Sequence, residues 1–190
     1  MNYIVFDLEL TCWEGDLAGR VQEIIEIGAY KIDPYRHTKS KFNRFIKPAL
    51  YPILSPYCIQ LTSISQKQIN EAKSFKEVIK LFMDWAEIDA ETHYLIAWGS
   101  KDRQYLVNDC KLHRVDYDWT DPYTDLKIQY QHIKKLREPR GLKHAVESEG
   151  FEFNGALHRA IDDAYNLSRI FLKYFGEWNL HKEGGKAYQY

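Results

Sequence analysis

The chain is poor in cysteine, and its three cysteines, Cys12, Cys58 and Cys110, are far apart in sequence. An odd number at such spacing suggests neither a disulfide framework nor a zinc site, and it fits a reducing, cytoplasmic setting. No apolar run approaches the ~20 residues that a membrane-spanning helix needs, so no membrane partner is expected. The opening Met1-Asn2-Tyr3-Ile4-Val5-Phe6-Asp7 has no basic n-region and meets an acid at once, unlike a signal peptide. Neither sign of charge dominates. With 26 basic and 27 acidic residues the formal net charge is −1. A polyanionic ligand would therefore need a local basic surface or bound cations. Repeats and low-complexity tracts are also missing, which leaves a single folded domain.

What is present supports such a domain. A chain of 190 residues with 45% hydrophobic content can bury a proper core. The domain is expected over 1–176, followed by a polar, glycine-containing tail over 177–190. Aromatic residues reach 15%, with 14 Tyr and 5 Trp, enough for core packing and for stacking on bases. Strands are expected at 2–8, within 23–33 and at 40–47, joined by short connections as an antiparallel meander. Residues 48–64 read as a proline-containing loop. Ser74 with Glu77 three later opens a helix over 74–88, whose apolar positions recur at helical spacing. A short strand at 94–98 ends at Gly99, and helices follow from Ser100 or Lys101 to about His113, over 124–136, over 141–149 and from about Ala160 to Phe175. The pattern predicts an α/β fold with a mixed sheet flanked by helices.

The acids carry the chemistry. Asp7 and Glu9 lie two apart in an apolar strand, so alternation sets both carboxylates on one face, where they repel unless a cation intervenes. Asp102 follows a strand and a glycine turn, in the first turn of a helix, a place that the helix dipole alone would also favour. His158 and Asp163 are five apart, about 140° around a continuous helix. They converge more readily with His158 in the preceding loop and Asp163 one turn into the helix. Oxygen donors without cysteine or paired histidine suit two hard divalent ions, Mg²⁺ or Mn²⁺, rather than zinc.

Phe6-Asp7-Leu8-Glu9-Leu10-Thr11, Trp98-Gly99-Ser100-Lys101-Asp102 and His158-Arg159-Ala160-Ile161-Asp162-Asp163-Ala164 together resemble, in order and separation, the three motifs of DEDDh 3′–5′ exonucleases. Glu23-Ile24-Ile25-Glu26-Ile27-Gly28-Ala29 resembles the second strand of these enzymes. Cys58-Ile59-Gln60-Leu61-Thr62-Ser63-Ile64-Ser65-Gln66 resembles a segment of the Eri-like group, with a stand-alone, KapD-like member the nearer match. The resemblance implies a ribonuclease-H-like three-layer fold with five strands, the first three antiparallel. It implies hydrolysis at the 3′ end of single-stranded RNA or DNA, RNA being favoured. Asp7 would bridge two metal ions, Glu9 and Asp163 would complete their coordination, Asp102 would act directly or through water, and His158 would be the general base. Asp162, Glu23 and Glu26 are read as structural.

Substrate contacts are expected from Leu10, Thr11 and Trp13, directly after the first acids, and from Trp98. The basic run Lys134, Lys135, Arg137, Arg140 and Lys143 would track phosphates. Two other readings stand beside this one: a regulatory protein that uses the fold to bind a signalling partner, and a DNA-proofreading type of exonuclease.

Overall fold

A computed structural model describes residues 1–180. Six strands form one mixed sheet: β1 (Asn2–Leu10), β2 (Ile24–Ile32), β3 (Thr38–Lys47), β4 (Lys73–Ser74), β5 (His93–Ala97) and β6 (Tyr123–Asp125), in the spatial order β4-β3-β2-β1-β5-β6. The first three strands are antiparallel, as the short connections predict, while β5 runs parallel to β1 and β6 parallel to β5. The expected α/β architecture is thus present with six strands instead of five. Beyond the four strands read from the sequence pattern, the structure has the two-residue β4, paired with Ile46 and Lys47, and β6, which takes the start of a segment expected to be helical. Leu95, Ile96 and Ala97 hold Tyr123, Thr124 and Asp125 in the ladder, and the helix starts only after Asp125, whose carboxylate accepts the Lys127 N–H at 2.8 Å.

The described residues also form seven α-helices, α1 (Pro56–Thr62), α2 (Gln66–Glu71), α3 (Phe75–Ala86), α4 (Lys101–His113), α5 (Leu126–Ile133), α6 (Leu142–Ser148) and α7 (Ala160–Lys173), and one 3₁₀ turn at Asp118–Thr120. The segment 48–64, expected to be a loop, contains α1. Ser55 caps this helix by accepting the Cys58 N–H, and Pro56 sits at its first position, where a missing N–H costs nothing. Ser65 and Gln68 form a reciprocal capping box that starts α2.

Alternation along β1 divides the core. Ile4, Phe6 and Leu8 pack beneath α3 and α4, with Phe75, Val78, Ile79, Phe82 and Leu106. Tyr3 and Val5 pack on the opposite face with Leu126, Tyr130, Val146, Leu167, Ile170 and Phe171. Trp178 joins this second cluster, and its indole N–H donates to the Phe171 carbonyl at 2.8 Å. Of the expected tail, residues 181–190 lie outside the described residues. No helix among the described residues is long and apolar enough to cross a membrane.

The start of α7 rests directly on β2. A Cβ added to Gly28 would lie 2.2 Å from both the Ala160 carbonyl carbon and the Ile161 nitrogen. Both are backbone atoms, so only glycine permits this approach. Gly28→Ala is therefore expected to cost about 3 kcal/mol or more of folding stability, at or beyond the upper end of overpacking penalties. Urea denaturation of the two proteins measures it, and equal midpoints would contradict the close seating.

Candidate active site

The odd-numbered face of β1 is apolar at Tyr3 and Val5 and acidic at Asp7 and Glu9. All four residues face the α7 side of the sheet. On α7 the buried stripe runs Ala160, Ala164, Leu167, Ile170 and Phe171. Asp163 falls three residues after Ala160 and so belongs to that stripe. Asp162, about 100° away on the helix, turns to the preceding loop, where its carboxylate accepts the Ala156 N–H at 2.9 Å. One oxygen each from Asp7, Glu9 and Asp163 lie within 4.8 Å of one another.

Glu26 aligns this junction. It is fully buried, pairs with Glu9 across the β1–β2 ladder, and accepts two hydrogen bonds from the Arg159 guanidinium, at 3.1 and 3.0 Å. It also accepts the Ala160 N–H at 3.1 Å, the first amide of α7. Asp163 in turn accepts the Arg159 N–H at 3.2 Å. A β-bulge beside Glu9 turns Ile25 toward a third small core with Leu54, Cys58, Ile64 and Ile69, so the strand ends bend exactly where the acids sit.

Asp102 stands in the first turn of α4 and is not among the three converging carboxylates, but it is the strongest charged neighbour of Asp7. Burial pushes Asp7 well above the usual carboxylate range, and the charges of Asp102, Asp163, Glu9 and Glu26 add to this. Burial likewise pushes Glu9 up to about 9, with Asp163 and Glu26 adding. It pushes Asp163 up to about 7, against the pull of the Arg159 and His158 amides. Asp102 is pushed up to about 7 by burial, with Asp125 contributing repulsion. His158 is exposed, in the left-handed backbone region at φ 60°, directly before the start of α7.

The expected substrate-side residues have diverse environments. Thr11 is buried and engaged within the protein: its hydroxyl accepts the Glu23 N–H at 2.9 Å, its amide donates to the Glu23 carbonyl, and its own carbonyl accepts from Gln22. Trp13 meets the Tyr51 ring edge-on at 5.0 Å and lies under the Arg20 guanidinium at 5.1 Å. The Leu10 carbonyl accepts from the Cys58 thiol at 3.5 Å. Trp98 packs on Tyr130, and its indole N–H donates to the Arg140 carbonyl at 3.0 Å. In the basic run, Lys134 pairs with Glu149 at 3.0 Å and Lys143 lies 3.8 Å from Glu147, while Lys135, Arg137 and Arg140 are exposed.

Two residues near Asp102 have no signal in the sequence reading. Asp125 caps α5, and Tyr123 donates its hydroxyl to the Gly99 carbonyl. Only the β6 pairing brings them beside the strand end that precedes Asp102.

The donors are four carboxylates, partly or fully buried, mutually repelling and without sulfur. That set fits hard divalent cations, whose charge relieves the repulsion.

A family model described as Exonuclease (RNase_T) matches residues 4–171. The chain is 30% identical over 181 residues to 3′-5′ exoribonuclease 1 of Homo sapiens, covering 90% of this chain and 52% of that protein. It thus spans about half the length of that relative. It is 28% identical over 174 residues to the probable 3′-5′ exonuclease KapD of Bacillus subtilis, covering 90% of this chain and 82% of that one. Among solved structures, the nuclease domain of 3′hExo, a DEDDh family member bound to rAMP, superposes with a TM-score of 0.88 at 26% identity, covering 96% and 97% of the two chains.

A carboxyl whose folded pKa exceeds its unfolded value near 4 binds more protons in the folded state. Its stabilising contribution is complete below that value and is lost as pH rises through the folded one. With folded values of about 7 at Asp102 and Asp163 and about 9 at Glu9, the metal-free protein should lose melting temperature between about pH 5 and 9. Added Mn²⁺ should restore it, increasingly so at higher pH. Thermal melts with and without EDTA read this, and a pH-independent Mn²⁺ effect would contradict it.

Proposed function

The chain belongs to the exonuclease family, and from that membership we propose that it is a DEDDh-type 3′–5′ exonuclease that removes nucleotides from the 3′ ends of single-stranded RNA. The observation that carries the reading is the convergence of Asp7, Glu9 and Asp163 from the first strand and the last helix to within 4.8 Å. Asp102 stands beside them, and His158 precedes Asp163 by five residues. RNA is favoured because the human relative is named an exoribonuclease and the superposed nuclease domain holds a ribonucleotide, rAMP.

Asp7, Glu9, Asp163 and Asp102 would hold two divalent ions, Mg²⁺ or Mn²⁺. Bound there, such ions supply the positive charge that offsets the phosphodiester and the developing leaving group. The remaining work falls to the chain. Attack on phosphorus requires a water to give up a proton, and an imidazole can accept it near neutral pH. His158, exposed and five residues before Asp163, would take this role, and hydrogen bonds tie down the loop before it. Asp162 accepts the Ala156 N–H, and Asn166 accepts the Asn154 N–H at 3.0 Å while donating to the Asn154 carbonyl at 2.8 Å. Leu10, Trp13 and Trp98 border the same edge of the sheet and would receive the terminal nucleotide, with Arg140 and Lys143 toward the incoming backbone.

Free and 3′-blocked oligonucleotides, RNA and DNA, incubated with Mg²⁺ or Mn²⁺ test the assignment. Stepwise release from free RNA 3′ ends is expected, and equal or faster release from DNA would overturn the RNA preference. His158→Ala should lower the rate by roughly 10²–10⁴, the usual share of a general base. Asp7→Asn should abolish turnover and weaken Mn²⁺ binding by calorimetry. Wild-type turnover of His158→Ala at neutral pH would remove the imidazole from the mechanism.

A further inference from the structure

Cys12 and Cys58 are remote in sequence but meet beside the acidic site. Cys58 is fully buried in the first turn of α1, in the small core with Ile25, Leu54, Ile64 and Ile69, and half-buried Cys12 packs against that core. One hydroxyl joins their backbones: Ser55 Oγ accepts the Cys58 N–H at 3.0 Å and donates to the Cys12 carbonyl at 2.6 Å. Cys12 thus packs against the small core that encloses Cys58, and Ser55 ties the two backbones together at that corner. Cys58 Sγ also donates to the Leu10 carbonyl at 3.5 Å, and Leu10 directly follows Glu9. Cys110 is buried in the separate core under α3 and α4.

We propose that Cys12 and Cys58 form a reversible disulfide that switches the adjacent carboxylate site off under oxidation. The inference rests on the exonuclease reading only for its consequence, since the covalent step can be read without any substrate.

The oxidant is a peroxide. One sulfur of the pair loses its proton and attacks one peroxide oxygen. The O–O bond breaks, one water leaves, and that cysteine becomes a sulfenic acid. The other sulfur then displaces the oxygen as a second water, and the S–S bond forms. The two thiols together give up two electrons and two protons, and the peroxide is reduced to two waters. A dithiol reverses the change by two exchange steps, itself becoming the disulfide.

The bond fixes the two sulfurs about 2.05 Å apart. It also removes the proton that Cys58 donates to the Leu10 carbonyl. Both changes act on the end of β1, within a few residues of Glu9. A misplacement of about 1 Å at a catalytic group can cost on the order of 10² in rate, so the oxidised enzyme should lose about tenfold to a hundredfold in turnover and bind Mn²⁺ more weakly.

The test treats the full chain with hydrogen peroxide and maps disulfides by peptide mass spectrometry under non-reducing conditions. Mn²⁺ affinity by calorimetry and release from an RNA 3′ end are measured before oxidation, after it, and after dithiothreitol. A Cys12–Cys58 linked peptide, with lower Mn²⁺ affinity and rate that dithiothreitol restores, is the expected result. In Cys58→Ser the ratio of oxidised to reduced Mn²⁺ affinity should stay near one, and Cys12→Ala serves if that variant does not fold. Absence of the linked peptide overturns the proposal, as does its formation with unchanged Mn²⁺ affinity, or oxidant sensitivity that persists in both variants. A protein that links these cysteines and loses Mn²⁺ affinity on oxidation, but does not cleave RNA even when reduced, would instead remove the functional reading and leave the switch standing.

Discussion

The seating of the first turn of α7 on the bare backbone of Gly28 governs the geometry of the whole site. Gly28 is the β2 partner of Asp7, so the place where the helix comes closest to the sheet is also the place where the first acid points. Two carboxylates about 5 Å apart repel by roughly 3 kcal/mol at an effective dielectric near 20. Left to themselves, Asp163 and the β1 acids would separate. The apolar stripe of α7 and the bidentate Arg159–Glu26 pair hold them together. Glu26 adds a further negative charge to the neighbourhood, but it does so while neutralised by a guanidinium and bonded to a helix amide. It therefore stabilises the junction, whereas Asp7, Glu9, Asp102 and Asp163 have no Lys or Arg ion pair among the described residues.

Much of this was readable before any coordinates, because the informative signals were periodic. Spacing by two places Asp7 with Glu9, whereas the family resemblance alone prefers Asp163 to Asp162, and the buried stripe of Ala160 and Ala164 on α7 gives the physical reason. Other features depend on long-range pairing that no local pattern reports. Tyr123–Asp125 has the composition of a helix start and becomes a strand because Leu95–Ala97 offers it a parallel pairing edge. The helix α1 lacks a long apolar periodicity, yet Ser55-Pro56 is a start signal that the prolines around it obscured. The cysteines show the limit most plainly. Their spacing excludes a local framework, and their meeting is produced by the packing of α1 against the end of β1.

The near-neutral charge of the chain also resolves differently from what the linear sequence suggests. The basic run of 134–143 is not a uniform patch, since Lys134 is drawn to Glu149, which Lys173 also contacts at 2.7 Å, and Lys143 lies near Glu147. The exposed members, Lys135, Arg137 and Arg140, sit on the connection whose Arg140 carbonyl is held by Trp98. Thus Trp98, the residue directly after β5, anchors the connection that carries these exposed basic side chains. Attraction of a polyanion would in this way be local to the site and would not depend on the net charge.

Strand length explains why the acids are reachable at all. Val5 pairs with Ile96 in a parallel register, and β5 ends one residue later, at Ala97. Asp7 and Glu9 therefore extend past the end of their neighbour, at the carboxyl edge shared by β1, β5 and β6. Ligand crevices in open α/β sheets form at such edges, where connections leave to opposite sides. Here the chain leaves β5 into α4, on the side of Phe6 and Leu8, while α7 covers the other side. Asp102 and Asp163 thus approach the overhanging strand from the two helical layers. A β5 longer by one residue would already pair with Asp7, so its stop at Ala97, just before the turn at Gly99 with its φ of 133°, is as much a part of the site as the carboxylates.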